Sequence, residues 1–384
     1  MAKKPKNIAE LDKWLDDKFN NHVNAEIMKT DVLVLDIVLN GGIPRGQMIE
    51  LFSDSGLGKS TLVMSACRGL CAQGRNVIYL DFEGVSNNQI EGMGLSQYLH
   101  SQSNPSGTFR KYRVRTYGEA EEILDSILPL LDVSLVVIDS VTAMVNDNYL
   151  DFEKGTSVTA IRPGGDARAL SIWLKKYNAV KALYNVSFMF INQVRTSINM
   201  LGGPSRDEST GGNAMRFYMD ARLKLSPLRG IVKEKETING KENVKVGAEV
   251  YLEAVKSRLG YGFIKVPMTI LFGKGVSNIA TYVQWLQNKD VNFEGKKVKA
   301  LQQGGGGYYT FTLEGKQEKV RGIDNVTQYV YDNYDLISEM FTAKDFELMQ
   351  SEPEGQSYQG EEEVSEESEV SKELDEIIEK EESK

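Results

Sequence analysis

The sequence predicts an α/β fold in which a mostly parallel central sheet is flanked by helices. Short apolar runs bounded by Gly or polar residues recur along the chain, with helical stretches between them. Buried parallel strands have this composition because helices cover both faces of their sheet. A glycine-containing loop joins the first apolar run to a helical stretch. The length of 384 residues indicates one large domain with smaller attachments.

The first predicted element is a helix within an N-terminal segment that covers residues 1–30. Apolar side chains between residues 7 and 19 fall on one helical stripe, and Asn7 can cap the helix after Pro5. Such a stripe needs a surface to dock on, either the core of the same chain or a neighbouring subunit. The stripe consists of Ile8, Leu11, Trp14, Leu15 and Phe19.

The large domain is predicted over residues 31–278, and its strands are short and apolar. Residues 101–112 interrupt this pattern, so we expect an inserted or lengthened surface segment there. The predicted strands cover residues 48–52, 76–80, 135–138 and 187–191, with further strands at 221–225, 248–254 and 268–272.

Two attachments of different composition follow the large domain. Residues 279–345 are predicted to form a small α+β domain, interrupted by Gly304–Gly307. Residues 346–384 form a predicted disordered acidic tail, because blocks of like charge bury too little apolar surface to fold. Residues 351–384 carry a net charge of −11, and subtracting this from the −9 of the whole chain leaves +2 for residues 1–350. The acidity therefore does not exclude a nucleic-acid partner.

Other observations exclude several classes of protein. Cys67 and Cys71 lie in one predicted helix and cannot build a disulfide framework, and no Cys/His group has the spacing of a zinc site. No apolar run is long enough to span a bilayer, so we expect no membrane partner. The first residues lack the apolar stretch of a secretory signal, which makes a cytoplasmic location the expectation.

Phosphate binding is indicated by the loop after the first strand, which contains Gly-Lys-Ser and leads into a helix. Backbone N–H groups and the helix N-terminus attract phosphate, Lys59 adds a point charge, and Ser60 can hold Mg²⁺. The usual pattern has Gly where this chain has Ser53. The residues expected to bind the nucleotide here are Ser53, Asp54, Ser55, Gly56, Leu57, Gly58, Lys59, Ser60 and Thr61.

Two further strand ends carry the carboxylates that this chemistry needs. Strand 135–138 is followed by Asp139-Ser140, a place for a carboxylate that holds Mg²⁺ through water. Strand 76–80 is followed by Asp81-Phe82-Glu83, where Glu83 can orient or activate the attacking water. Ligands of open α/β sheets bind at the carboxyl ends of the strands. This position favours a functional role for Asp139 and Glu83 over the alternative that they are solvated turn residues.

The fourth strand ends in Phe190-Ile-Asn-Gln-Val-Arg195, and Thr210-Gly-Gly-Asn-Ala follows. With the phosphate loop, these motifs make the chain closely resemble the RecA family of homologous recombinases over about residues 25–277. The phosphate loop is shared by many families, whereas the other two motifs are far more specific. The resemblance extends to Thr30–Gly46, Leu80–Glu83, Val137–Val141 and Ala254–Arg258.

The resemblance implies the RecA-type fold of a phosphate-loop ATPase and a role for each matching residue. Glu83 would activate water, and Gln193 would sense the γ-phosphate. Lys256 and Arg258 would reach the ATP of the adjacent subunit and stabilise transferred charge as an arginine finger does. The cofactors would be ATP and Mg²⁺, bound by Lys59, Ser60, Asp139 and Ser140.

Two loops, at about residues 149–165 and 195–212, would line a filament axis and hold single-stranded DNA. Neither loop is strongly basic, but their glycines expose backbone N–H groups to phosphates, and apolar side chains can pack against bases. A loop this long inside a compact domain more often marks function than a linker. The implied DNA-binding residues are Arg162, Gly164, Gly165, Arg168, Ser171, Lys175, Arg195, Thr196, Ser197, Ile198, Asn199, Met200, Leu201, Arg206, Thr210, Gly211, Gly212 and Asn213.

Self-assembly is implied as well, because Arg216, Phe217 and Arg222 match subunit-interface positions of the family. A heterologous interface whose rotation does not close yields an open helical filament. The other implied partners are single-stranded DNA, homologous double-stranded DNA, and single-strand-binding and loader proteins. Residues 289–321, with seven Lys/Arg against four Asp/Glu, either take in duplex DNA or form a solvated basic face.

Besides Ser53, the chain departs from the family pattern at two positions near the predicted site. The family commonly has His after the catalytic Glu, where this chain has Gly84. Its adenine-stacking Tyr would fall near Ile90, so the base must be recognised differently. Phage-encoded recombinases diverge in similar ways, which leaves a bacterial or a phage origin open, with the host cytoplasm as the location in the second case.

The sequence therefore predicts a DNA-dependent ATPase that polymerises on single-stranded DNA and catalyses homologous pairing and strand exchange. Two alternatives stay open. One is an ATP-binding recombination mediator with little hydrolysis, against which Glu83 and the Lys256/Arg258 pair count. The other is a hexameric helicase of the same core fold, which would form closed rings.

Overall fold

A computed structural model describes Ile8, Glu10 and residues 26–100, 107–147, 165–197, 206–209, 211–234, 244–259, 265–341 and 345. Of the predicted N-terminal helix, Ile8 and Glu10 are described, and both are helical. The predicted acidic tail lies outside the described residues, as do most of the first predicted DNA loop and the middle of the second.

A large sheet forms the centre of the structure and is preceded by a short antiparallel pair, β1 (Ile27–Met28) and β2 (Ile43–Pro44). The strands of the large sheet are β3 (Met48–Ser53), β4 (Asn76–Asp81), β5 (Phe109–Arg113), β6 (Val133–Asp139), β7 (Ser187–Ser197), β8 (Arg206–Ser209), β9 (Ala221–Glu234), β10 (Val244–Ser257), β11 (Lys265–Leu271) and β12 (Gly275–Ser277).

The parallel strands of this sheet are neighbours in the order β5-β4-β6-β7-β3-β9. Strands β10, β11 and β12 extend the sheet antiparallel beyond β9, and β8 pairs antiparallel with the end of β7. The predicted mostly parallel α/β sheet is thus confirmed, with its antiparallel strands grouped at one edge. Each of the four best-defined predicted strands lies within an observed one.

One prediction about this sheet is wrong. Residues 109–112, expected in an inserted surface segment, belong to β5, which pairs parallel with β4 at the edge of the sheet. Phe109 is fully buried, whereas Arg110 and Lys111 keep part of their surface in solvent. Edge strands carry charged residues more often than central strands do, and Arg110, Lys111 and Arg113 leave β5 without an apolar run that a sequence search would find.

Helices cover both faces of the sheet. The side chains of Val77 and Tyr79 join one apolar cluster with α1 and α2, while Ile78 and Leu80 join another with α4 and α5, as the alternation of side chains along a strand requires. No described helix is long and apolar enough to cross a membrane. The helices are α1 (Leu33–Val38), α2 (Lys59–Ala72), α3 (Asn87–Gly92), α4 (Tyr117–Ile127), α5 (Gly165–Tyr184) and α6 (Gly212–Tyr218).

The C-terminal elements follow the last strand of the sheet directly. Their buried side chains, such as Trp285 and Phe311, continue the apolar cluster that contains α1 and α2. Asn278 also joins the two regions, because its Oδ1 accepts from Leu33 N at 3.0 Å and its Nδ2 donates to the Asp31 carbonyl at 3.1 Å. The elements are α7 (Ile279–Asn288), β13 (Asp290–Phe293), β14 (Lys296–Lys299), β15 (Leu301–Gln303), β16 (Tyr308–Leu313), β17 (Lys316–Arg321), α8 (Ile323–Asp332) and α9 (Tyr334–Met340).

Candidate active site

The loop between β3 and α2 turns at two glycines with left-handed backbone conformation. Gly56 has φ of 80° and Gly58 has φ of 88°. A Cβ atom at Gly58 would also lie 2.7 Å from Ile270 Cδ1, so this position needs glycine for both reasons. Ser53 replaces the usual first glycine, and it ends β3 in strand conformation with its side chain buried. Serine fits because no left-handed conformation is required there.

Lys59, the first residue of α2, places its ammonium group inside this loop. Nζ donates to the Ser53 carbonyl and Ser53 Oγ, both at 3.1 Å, and to the Asp54 carbonyl at 2.8 Å. Burial lowers the pKa of Lys59, while the nearby carboxylates of Glu83 and Asp139 oppose that shift. The loop therefore holds a positive charge close to two carboxylates.

Asp139 ends β6 and is almost completely buried. The Tyr79 hydroxyl, on the neighbouring strand β4, donates to Asp139 Oδ2. Burial raises the pKa of Asp139 to about 6, although the hydroxyls of Tyr79 and Ser60 lower it. Oδ1 is also buried, and it has no hydrogen-bond partner among the described residues.

These oxygen atoms fit a magnesium ion. The Ser60 hydroxyl and the unpartnered Oδ1 of Asp139 are oxygen ligands, the type that Mg²⁺ prefers. Mg²⁺ in proteins usually binds one or two carboxylates, and phosphate oxygens and water complete its coordination. In the described part of the chain, no group of three or more His, Cys, Asp or Glu side chains forms a metal cage. A site with so few protein ligands suits a cation that arrives with a nucleotide.

Glu83 lies just past the end of β4, next to two side chains from neighbouring strand ends. The Ser140 hydroxyl donates to Glu83 Oε1, and Gln193 Nε2 donates to the same oxygen at 3.3 Å. Gln193 lies beside Ser53 in the parallel pairing of β7 with β3, so the strand register brings it to the phosphate loop. The carboxyl ends of β3, β4, β6 and β7 thus meet at one site.

The structure brings together six residues that were predicted from separate segments. These are Lys59, Ser60, Glu83, Asp139, Ser140 and Gln193. Tyr79 was missed, because a tyrosine within an apolar strand has no local feature that separates it from a core residue. The signal for Tyr79 is its position on β4 opposite Val137 of β6, two residues before Asp139, which depends on the order of strands in the sheet.

Comparisons with known proteins agree with this geometry. The family model described as RecA N-terminal domain matches residues 14–277, which is more than half of the chain. The chain belongs to the RecA family. Protein RecA of Delftia acidovorans (strain DSM 14801 / SPH-1) is 31% identical over 322 residues, covering 83% of this chain and 77% of that protein. Protein RecA of Bordetella petrii (strain ATCC BAA-461 / DSM 12804 / CCUG 43448) is 30% identical over 323 residues, covering 83% and 80%.

Two predicted catalytic residues of this RecA-family chain lie far from its phosphate loop. Lys256 pairs with Arg222 in the register of β10 and β9, and Arg222 pairs with Glu50 near the start of β3. Lys256 Nζ donates to the Met219 carbonyl at 2.8 Å. Arg258 NH1 lies 3.6 Å from Asp220 Oδ1. Both cations are therefore at the amino end of the parallel strands, opposite the end that carries Lys59.

The three predicted interface residues differ in their surroundings. Phe217 is 73% exposed, an unusual state for a phenylalanine, and Arg216 beside it on α6 is also exposed. Arg222 instead pairs with Glu50 of the same chain, and its guanidinium lies 4.8 Å from the ring centroid of Phe52. The structure thus presents Arg216 and Phe217 at the surface and gives Arg222 a partner within the protomer.

The predicted DNA-binding residues that the structure describes lie on or directly beside four elements, α5, β7, β8 and α6. Arg168 and Lys175 are exposed on α5, with Ser171 partly buried between them, and Asn213 is exposed on α6. Gly211, with φ of 93°, precedes α6. The backbone from Arg195 to Ser197 pairs with β8, which begins at Arg206, so the second loop starts and returns as an antiparallel ribbon. Outside the described residues lie Arg162, Gly164, Ile198, Asn199, Met200, Leu201 and Thr210.

Proposed function

We propose that this chain is a DNA-dependent ATPase that assembles on single-stranded DNA and catalyses homologous pairing and strand exchange in the cytoplasm. RecA-family membership supports a recombinase-type function in general. The observation that carries the specific proposal is the meeting of a lysine, a buried aspartate and a glutamate at the carboxyl ends of neighbouring strands. Phosphoryl transfer depends on this combination of positioning and charge.

Binding of ATP and Mg²⁺ falls to the phosphate loop and β6. The backbone N–H groups of Asp54–Gly58 and the ammonium of Lys59 would hold the phosphates, while Ser60 and Asp139 would hold the metal. Mg²⁺, when bound, supplies positive charge that neutralises the phosphate oxygens. The Tyr79 hydroxyl fixes the orientation of the Asp139 carboxylate by binding Oδ2.

Glu83 is the proposed base that takes a proton from the attacking water. Ser140 and Gln193 both donate to Oε1, which leaves Oε2 without a hydrogen-bond partner among the described residues and open to a water molecule. This arrangement supports the proposal, because two donors orient one oxygen of Glu83 and the second oxygen would take the proton.

Gln193 also connects the site with DNA. It lies on β7, whose continuation forms the ribbon with β8 that begins the second predicted DNA loop. A contact between Gln193 and the γ-phosphate would order this loop, and hydrolysis would release it, as in other nucleotide switches. The backbone amides of the loop glycines, together with Arg168 and Lys175 on α5, would contact phosphates of single-stranded DNA.

Hydrolysis measurements with Glu83→Gln test the proposed base. In the wild type, single-stranded DNA should stimulate ATP hydrolysis. E83Q should lower kcat by roughly 10²–10⁴-fold while leaving nucleotide binding intact, because it removes the base and keeps the shape of the side chain. Glu91→Gln, at an exposed position on α3, is the matched control. A wild-type protein that binds ATP and barely hydrolyses it would be a mediator, and an E83Q variant with the wild-type rate would refute the base assignment.

Electron microscopy with ATP and single-stranded DNA tests the mode of assembly. Lys256 and Arg258 lie at the end of the sheet opposite Lys59 and would meet the nucleotide of a neighbouring subunit, which requires a head-to-tail assembly. RecA-family membership supports an open helical filament as the form of that assembly. Discrete closed rings would instead favour a hexameric helicase.

A further inference from the structure

The turn that carries Glu83 is held by Asp81, the last residue of β4. Asp81 Oδ1 accepts from Gly84 N at 2.6 Å, and Oδ2 accepts from Val85 N at 2.9 Å. The Asp81 side chain is only 1% exposed. Because one rigid carboxylate binds the two amides that follow Glu83, the path of the backbone through Glu83 depends on where Asp81 is held.

Two cations from the edge strand β5 hold Asp81 in turn. Arg113 lies beside Asp81 in the parallel register, and its NH1 is 3.2 Å from Asp81 Oδ1 and 3.4 Å from the Asp81 carbonyl. Lys111 Nζ lies 3.4 Å from Asp81 Oδ2 and also donates to the Val85 carbonyl. A nearly buried carboxylate needs such partners, since an uncompensated buried charge is strongly unfavourable.

Arg113 also fills the space beside Gly84. Gly84 has φ of 102°, and a Cβ atom there would lie 3.1 Å from Arg113 NH1, 3.4 Å from Cζ and 3.5 Å from NH2. All three distances involve the guanidinium, so this group lies across the residue next to Glu83. The absence of a side chain at Gly84, where the family commonly has His, is thus matched by an arginine that reaches the same place from β5.

We infer that Arg113 is a positioning residue for the catalytic glutamate. The guanidinium sets the position of Asp81 and covers Gly84, and these two contacts set the backbone on both sides of Glu83. Ser140 and Gln193 hold the Glu83 carboxylate itself, so the glutamate is fixed from β5 through its backbone and from the ends of β6 and β7 through its side chain. This inference rests on the proposed role of Glu83 as the base.

The test compares Arg113→Ala and Arg113→Lys with Arg115→Ala in DNA-stimulated ATP hydrolysis. Arg115 is the matched control, because it lies two residues along the chain and pairs with Glu119 away from the turn. R113A should lower kcat by about 10-fold to 100-fold, since a small misplacement of a catalytic group has effects of that size. KM for ATP and the affinity for ADP should change by less than about twofold, because ground-state binding is not touched. R113K should recover part of the rate, and R115A should match the wild type.

Hydrogen exchange supplies a readout that does not depend on hydrolysis. In R113A, the amides of Gly84 and Val85 should exchange faster than in the wild type, whereas amides in the centre of β6 should not change. A merely structural role would lower protection throughout the sheet.

Two results would overturn the inference. One is a wild-type kcat in R113A together with unchanged exchange at Gly84 and Val85. The other is a loss of ADP affinity that equals the loss of rate, which would make Arg113 a direct nucleotide contact. E83Q separates this inference from the proposed function: an active E83Q refutes the base, whereas an inactive E83Q with a fully active R113A refutes only the positioning role.

Discussion

At the scale of single residues, burial changes the ionisation of a carboxyl group outside the active site. Asp36 on α1 accepts hydrogen bonds from Thr30 N at 2.9 Å and from Thr30 Oγ1 at 2.7 Å. These bonds favour the ionised form, yet burial outweighs them and raises the pKa of Asp36 to about 7. An unfolded aspartate ionises at about 3.9. The stability contributed by the protonated form is therefore lost as the pH rises from about 4 to about 7.

Asp36→Asn should remove this pH dependence while keeping an oxygen acceptor for Thr30. We expect the free energy of unfolding of D36N, relative to that of the wild type, to rise by about 1–3 kcal/mol between pH 5 and pH 8, because only the wild type ionises a buried group. Urea denaturation across this range measures the difference, with the exposed Asp332→Asn as the control. Parallel curves for D36N and the wild type would show that Asp36 does not titrate in this range.

Tyr79→Phe tests the carboxylate proposed to hold Mg²⁺. The Tyr79 hydrogen bond lowers the pKa of Asp139, which burial has raised to about 6, so removing the hydroxyl should raise it further. The Mg²⁺ concentration for half-maximal ATP hydrolysis should increase, and more at pH 6 than at pH 8, because protons compete with the metal.

Tyr177→Phe is the control for this substitution, since it removes a buried hydroxyl that has no hydrogen-bond partner among the described residues. An equal Mg²⁺ requirement in Y79F and Y177F would exclude an effect of Tyr79 on the metal site.

At the scale of secondary-structure elements, one buried ion pair joins three strands of the sheet. Glu50 on β3 is fully buried and binds Arg222 Nε of β9 through Oε2. Asn192 Nδ2 of β7 donates to Glu50 Oε1 at 2.8 Å. Because each oxygen of Glu50 binds a different neighbouring strand, the pair ties β9, β3 and β7 together in the centre of the sheet.

The substitutions Arg222→Ala and Phe217→Ala should separate folding from assembly. R222A should lower the free energy of unfolding by about 3–5 kcal/mol, because it leaves Glu50 buried without its cation. F217A should change that free energy by less than about 0.5 kcal/mol, since the ring is mostly exposed, yet it should weaken filament formation. Denaturation of the monomer and light scattering with ATP and DNA measure the two effects. Equal stability of R222A and the wild type would contradict the role given to the pair.

The sequence predicted the buried elements better than the edges of the sheet. Apolar runs such as residues 76–80 and 135–138 are recognisable because both faces of those strands are buried. The charged strand β5 carries no such run, so neither it nor the contact of Arg113 with Asp81 was predicted. That contact and the bond from Tyr79 to Asp139 both arise from the strand order β6-β4-β5, which joins segments distant in the chain and is absent from any local pattern.

At the scale of the whole molecule, charge is distributed unevenly along the chain. Residues 351–384 carry the net −11. The C-terminal hairpin of β13 and β14 contains exposed lysines, although Asp290 lies 3.1 Å from Lys297 and 2.8 Å from Lys299. We expect the acidic tail to compete with DNA for basic surface of this kind, which is an electrostatic effect that salt weakens.

Deletion of residues 351–384 should therefore tighten binding of duplex DNA several-fold at low salt, and the gain should shrink as salt is added. Fluorescence anisotropy across a salt titration measures this, with a neutral Gly/Ser tail of equal length as the control. If the truncated protein and the wild type bind duplex equally at every salt concentration, the tail does not compete with DNA.

The separation of Lys59 from Lys256 and Arg258 has a consequence for kinetics. If a neighbour's cations complete each nucleotide site, a filament has one fewer complete site than it has subunits. Turnover per subunit should then be close to zero for isolated protomers, half of its limit for dimers, and nearly constant for long filaments. The rate of hydrolysis would thus report the average filament length. A subunit that lacks Lys256 and Arg258 would prevent hydrolysis of the nucleotide bound to its neighbour, although its own phosphate loop would remain intact.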